Sequence, residues 1–132
     1  MKAKAQITYS DGKIYPAVSL VGLKDEMWPV IPVVAEVYKE YNIEAVLTAG
    51  TECFRLDVHN CCVSFIHALN SLHPQGYALD FSTSGIEDFT VIEITQKIQD
   101  RLNQLGEGYE VIWESKKSHI HIEFDKKIIT ET

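Results

Sequence analysis

From Ser118 to Phe124 the chain alternates without a break: Ile120, Ile122 and Phe124 fall on one side, His119, His121 and Glu123 on the other. Period two is the pattern of a strand half-buried in a sheet, apolar residues toward a core and polar ones away from it. A chain carrying this segment has to build a sheet, and the polar face of that sheet must carry two imidazoles and a carboxylate. Tyr77 to Ser82 alternates in the same way, with Tyr77, Leu79 and Phe81 opposed to Ala78, Asp80 and Ser82. Tyr109 to Glu114 reads as a third strand, joined to Ser118–Phe124 by a short lysine-bearing turn, which predicts a hairpin near the end of the chain.

The clearest helix runs from Asp88 to Leu105, with Asp88 or Thr90 as its cap and Gly106 as its stop. A second helical pattern lies within Lys24–Tyr41, on Val30, Val33 or Val34, Val37 and Tyr41; Pro29 and Pro32 confine its regular part to about 30–41. Ile43 to Thr48 reads as a strand ended by Ala49-Gly50. Ile7–Ser10 and Lys13–Tyr15 flank the turn dipeptide Asp11-Gly12 and suggest a small hairpin. Residues 51–72 show no period: Phe54, Val58, Val63, Phe65, Ile66 and Leu69 match neither template, so this stretch reads as a long loop with room for a helical turn. Trp28 and Trp113 are expected in the core. The mixed order of elements gives an α+β fold, a small antiparallel sheet packed against two main helices. At 132 residues, one domain spanning 1–132 is expected.

The formal net charge of −7 argues against nucleic acid or an anionic membrane surface as the main partner. No apolar run approaches the roughly 18 residues of a membrane span. Met1-Lys2-Ala3-Lys4 is basic, but no apolar segment of a secretory signal follows it. Cys53, Cys61 and Cys62 are odd in number, two of them adjacent, and lack the CxxC spacing of a zinc knuckle. They read as free thiols of a reducing, cytoplasmic location.

The chemistry concentrates in Ser71-Leu72-His73-Pro74-Gln75-Gly76-Tyr77-Ala78-Leu79-Asp80 and His119-Ile120-His121. Gly76 permits a tight turn into the strand that carries Asp80. Ala78 shares the face of Asp80 and is small enough to leave room beside it. A catalytic zinc needs three protein ligands and one open position. His73, Asp80 and His121 would supply such a set, although strand geometry alone does not say whether His119 or His121 is the ligand and which stands beside it. Glu114 ends the preceding strand; paired with 118–124, it would bring a general base to the same face. The plainer alternative is an ordinary polar strand face, with Glu114 a turn residue beside Lys116 and Lys117. His59 reads as solvated. His67 either lines the pocket or packs, with packing favoured. Arg55 either pairs with a substrate carboxylate or stays exposed.

Ser71-Leu72-His73-x-x-Gly76-x-Ala78-x-Asp80-Phe81 resembles the zinc motif of the D-alanyl-D-alanine peptidase superfamily, which includes vancomycin-resistance dipeptidases, zinc carboxypeptidases, phage endolysins and the hedgehog signalling domain. Trp113-Glu114-Ser115-Lys116-Lys117-Ser118-His119-Ile120-His121 is similar to the second motif in its hedgehog and phage forms. The likeness covers about Val46 to Asp125. It implies zinc ligands at His73, Asp80 and His121, a water-activating acid at Glu114 and a non-ligand histidine beside the metal at His119. His67 falls where small phage-type relatives carry a further histidine, and Arg55 matches the family's substrate arginine loosely. The chain departs from the dipeptidases at Ser118, where they carry a Glu; its Glu-to-His spacing is one residue longer than in hedgehog, and 51–70 is longer than in the phage proteins. The resemblance implies a Zn²⁺ peptidase cleaving a peptidoglycan stem peptide beside a D-amino acid, cytoplasmic, and released at lysis if phage-encoded. A zinc-bearing, hedgehog-like binding module without hydrolysis is the alternative.

Overall fold

The computed structural model describes residues 1–8, 10, 12, 14–52, 55–56, 62–64, 73 and 75–125, with strand residues 14–15, 55–56 and 62–64 described by backbone alone. His59, His67, Cys53, Cys61 and the side chains of Arg55 and Cys62 therefore lie outside the described residues. In chain order the elements are β1 (Lys2–Ala3), β2 (Ile7–Thr8), β3 (Ile14–Tyr15), α1 (Val30–Glu40), β4 (Val46–Ala49), β5 (Arg55–Leu56), β6 (Cys62–Ser64), β7 (Ala78–Ser82), α2 (Asp88–Leu105), β8 (Tyr109–Glu114) and β9 (His119–Phe124). A single 3₁₀ turn, Ser115–Lys117, joins the last two strands.

The fold is α+β, with two helices packed on a five-stranded sheet of order β1-β4-β7-β9-β8. The sheet is mixed rather than antiparallel throughout, because β1 pairs in parallel with β4. The remaining neighbours, β4–β7, β7–β9 and β8–β9, are antiparallel. The expected hairpin of β2 and β3 forms, and β5 and β6 extend it into a second, four-stranded sheet. That corrects the single loop expected over 51–72. β5 and β6 are only two and three residues long, too short to show a period, and the pairing of β5 with β3 joins Leu56 to the distant Ile14.

One face of the large sheet makes the core. Leu79 and Phe81 of β7 and Ile120, Ile122 and Phe124 of β9 are buried against Val30, Val34, Val37 and Tyr38 of α1 and Val91, Ile94, Ile98 and Leu102 of α2. The helix positions recur every three or four residues, so each helix shows one apolar stripe to the sheet. Burying a side chain of this size contributes about 1.5–3 kcal/mol. Pro32 sits inside α1 without breaking it, since it lies in the first turn, where backbone N–H groups have no partner within the helix. At α2 the residue before the helix is Glu87, with no side-chain cap; Asp88 instead lies in the first turn, where its charge suits the helix dipole. Trp28 is 48% exposed and does not join the core, whereas Trp113 packs half-buried against it. No described helix is long and apolar enough to cross a membrane.

Two tight approaches fix the segments beside the sheet's other face. Gly76 has φ +85°, and a Cβ there would stand 2.2 Å from the Gly22 carbonyl oxygen. The Gly76 N–H donates to the His73 carbonyl at 3.0 Å, and the Lys24 N–H donates to the Gly76 carbonyl at 3.0 Å. The turn from His73 into β7 is thus pinned against residues 22–24. At the end of β4, a Cβ on Gly50 would fall 2.2 Å from the Ser19 carbonyl oxygen.

Candidate metal centre

Strand register builds the centre in rows across the polar face. Asp80 of β7, His121 of β9 and Ile112 of β8 stand opposite one another in one row; Ser82, His119 and Glu114 form the next. Residues opposed on neighbouring strands hold their Cβ atoms about 4.5–5.5 Å apart, and long side chains also reach the diagonal position. His73 arrives from outside the sheet, from the turn before β7. The five expected groups His73, Asp80, Glu114, His119 and His121 meet here.

Asp80 is the hub. Its Oδ1 is 2.7 Å from His121 Nδ1, and its Oδ2 is 3.2 Å from His73 Nε2 and 3.6 Å from His119 Nε2. His119 Nε2 lies 2.8 Å from Glu114 Oε1, and Lys117 Nζ lies 3.6 Å from Glu114 Oε2. His73 and Asp80 are buried, at 3% and 6% exposure, while His121, His119 and Glu114 are half-buried toward the opening. Asp80 takes up 6% exposure on the face away from the core, so the sheet is covered on both sides at this point.

The two histidines on Asp80 are each oriented from behind. The second ring nitrogen of His73, Nδ1, is 3.0 Å from the Gly50 carbonyl, which can only accept, so Nδ1 carries the hydrogen. Its Nε2 then turns a lone pair toward a carboxylate oxygen 3.2 Å away. A proton or a metal cation between the two groups relieves that contact. His121 Nε2 faces Glu123 Oε1 at 3.5 Å, which leaves Nδ1 for Asp80. Metal-ligating histidines commonly give their other N–H to a carbonyl or carboxylate in this way.

His73, Asp80 and His121 could hold a metal ion, and so could Asp80, Glu114 and His119; within each set the donor atoms lie within 4.8 Å of one another. Donors 2.0–2.2 Å from a tetrahedral zinc stand about 3.4 Å apart. The 3.2 Å between His73 Nε2 and Asp80 Oδ2 is close to that spacing, the 2.7 Å between His121 Nδ1 and Asp80 Oδ1 would have to open by about 0.7 Å, and the imidazole and carboxylate donors suit a borderline divalent ion. The residues present fit a metal.

The electrostatics point the same way. Burial works to raise the Asp80 pKa, but the hydrogen bonds of His121 and His73, with the charges of His73 and His119, outweigh it and hold the carboxyl well below its usual range. At His121 burial favours the neutral ring, yet the Asp80 hydrogen bond and the nearby carboxylates of Asp80, Glu123 and Glu114 raise its pKa above the ordinary histidine value. For Glu114, burial is again opposed, by His119, Lys117 and His121, and the net shift is downward.

These shifts have a sign that can be measured. Without metal, the raised His121 contributes stability that is complete below about pH 6.5 and is lost as the pH rises through its folded pKa. The depressed Asp80 contributes stability above about pH 4, lost only as the pH falls toward its low folded value. A metal competes with the proton for His121 Nδ1, so its own stabilisation grows with pH. The melting temperature of the chelated protein should therefore fall as the pH rises above about 6.5, while the gain on adding zinc widens over the same rise. A chelated protein with a flat profile and a zinc gain independent of pH would remove His121 from the pair.

Sequence reasoning missed Gly50 and Glu52. Glu52, at 7% exposure, accepts the Gly50 N–H at 2.8 Å and the Ser19 N–H at 3.1 Å, holding in place the carbonyl that orients His73. A buried glutamate two residues past a strand-ending glycine was the available signal. Gly50→Ala puts a methyl group into the Ser19 carbonyl and must shift the strand end that orients His73. Metal affinity should drop about 10–100-fold, the usual cost of losing an outer partner. Chelator competition on the folded variant checks this, and unchanged affinity would detach Gly50 from the centre. No family model, curated protein or solved structure matches the chain.

Proposed function

We propose that this chain is a zinc-dependent peptidase of the D-alanyl-D-alanine peptidase and hedgehog type, acting on peptidoglycan stem peptides. The observation that carries the reading is the Asp80 carboxylate held between nitrogen atoms of His73 and His121, with the Glu114–His119 pair beside it. Two imidazoles, one carboxylate and an adjacent acid make a catalytic rather than a closed structural donor set. The choice of peptidoglycan rests on the resemblance of the two motifs. The reading of the fold as hedgehog and D-alanyl-D-alanine-peptidase-like rests there too.

Zinc held by His73, Asp80 and His121 would supply a Lewis acid that polarises a carbonyl and brings the pKa of water toward about 7. Glu114, with its lowered pKa, is ionised at neutral pH and accepts the proton of the attacking water. It then passes that proton to the leaving amine. His119 holds Glu114 through Nε2 in the resting site. Once Glu114 is protonated its pull on the ring weakens, and the His119 N–H is free to turn to the developing oxyanion. Ile112, 39% exposed and in register with His121, offers an apolar wall beside the reacting groups.

The test is mass spectrometry of purified muropeptides incubated with zinc-loaded protein. A new fragment from a cut beside a D-residue is the expected result, absent with chelator. Zinc uptake without any cleavage would move the chain to the hedgehog-like binding alternative.

A further inference from the structure

The donor atoms around Asp80 fall into two overlapping sets, and the proposed mechanism uses only the first as a metal site. The second set is Asp80, Glu114 and His119. Its members are Asp80 Oδ2, which also faces His73 Nε2 at 3.2 Å, a second carboxylate, and an imidazole nitrogen. His119 Nε2 is 2.8 Å from Glu114 Oε1 and 3.6 Å from Asp80 Oδ2. Asp80 Oδ1 remains with His121 Nδ1 at 2.7 Å. The two sets touch elsewhere as well, since His121 Nδ1 is 4.0 Å from Glu114 Oε1.

We propose that Asp80, Glu114 and His119 form a second, weaker divalent-cation site that shares Asp80 with the first and, when filled, removes the general base. The inference rests on the zinc peptidase reading of the first site. Its chemistry is the donor set itself: two carboxylate oxygens and one imidazole accept zinc, and one carboxylate can bridge two ions about 3.5–4 Å apart. The second site is weaker for three reasons. Its cation is repelled by the first, Glu114 and His119 are nearer to solvent than His73, and Lys117 Nζ stands 3.6 Å from Glu114 Oε2. A Glu114 oxygen bound to a cation has lost the electron pair that would take the proton from water. Excess zinc therefore inhibits, and it does so at the residue that runs the reaction.

The experiment is a zinc titration of the chelated full chain, read as equivalents bound and as affinity by competition with chelators of graded strength. The wild-type chain is expected to take one tight equivalent and a second at least about tenfold weaker, a difference of about 1.4 kcal/mol. Glu114→Gln and His119→Ala should each keep the first and lose the second. Lys117→Ala, which removes a like charge from the rim, should tighten the second step and leave the first unchanged. A single equivalent at saturating zinc overturns the second site and leaves the first standing. A second equivalent that persists in both variants, as zinc held by the cysteine thiols would, overturns it too. A chain that takes up no zinc overturns the underlying reading along with it.

Discussion

His73→Ala, Asp80→Ala and His121→Ala should each abolish tight zinc binding. A three-ligand site has no spare donor, so losing one leaves two and an ion open to solvent on two sides. The loss should exceed the roughly 10–100-fold that removal of an outer partner costs, and zinc content after gel filtration should fall from about one ion per chain toward none. The three variants are not equivalent in the metal-free protein. Asp80→Ala removes the carboxylate that the His73 and His121 imidazoles both face, so it also removes the stabilisation that the depressed Asp80 and raised His121 pKa values represent. Breaking a buried charge pair by removing one partner costs about 3–5 kcal/mol. His121→Ala relaxes a half-buried site that water can enter, and should cost less. Zinc content, measured beside the melting temperature of the chelated form, separates ligand loss from unfolding. Full zinc retention in both His73→Ala and Asp80→Ala would end the assignment.

What the sequence made legible follows from how local each signal is. The alternation of 118–124 and 77–82 gave β9 and β7, and because side chains in a strand have period two it also gave the face on which Asp80 and His121 lie. The short turn between Glu114 and His119 made their pairing foreseeable, and the register does set them opposite each other. Asp88–Leu105 was legible as a helix because an apolar stripe sustained over eighteen residues has no other reading. The parallel pairing of β1 with β4 was not legible. It joins Lys2 to Val46 and Ala3 to Leu47, two short runs far apart in the chain, with nothing local to specify the partner. The orientation of His73 was hidden for the same reason. Its Nδ1 bond reaches back twenty-three residues to a backbone carbonyl, and a backbone acceptor leaves no mark in side-chain identity. Trp28 misled because an aromatic residue is an average core resident, while its position just before α1 leaves it on the surface.

Glu114→Gln should keep zinc and fold but lose about 10²–10⁴ in the rate of peptide cleavage, the range for a missing general base. The amide oxygen of glutamine can still accept the His119 N–H, so the 2.8 Å contact survives and geometry is held while proton acceptance is lost. Glu123 also lies on this face, but it is 3.5 Å from His121 Nε2, behind the ring and away from Asp80, and is badly placed to replace Glu114. His119→Ala should also keep the tight metal, and lose about 10²–10³ if its N–H stabilises the oxyanion. The two residues are in contact, so the losses should not add. Glutamine is neutral, as protonated Glu114 is, so in Glu114→Gln the ring is already released toward the oxyanion, and only the part of the His119 contribution that comes from holding Glu114 is gone. The double variant should therefore be slower than Glu114→Gln alone, but by less than the product of the single losses. Rates of the two single variants and the double, each measured on zinc-loaded protein with stoichiometry checked, decide it. A double variant slower by the full product of the single losses would mean that the two side chains act independently, and the coupled proton transfer would have to be given up. Near wild-type turnover in Glu114→Gln would leave solvent as the base.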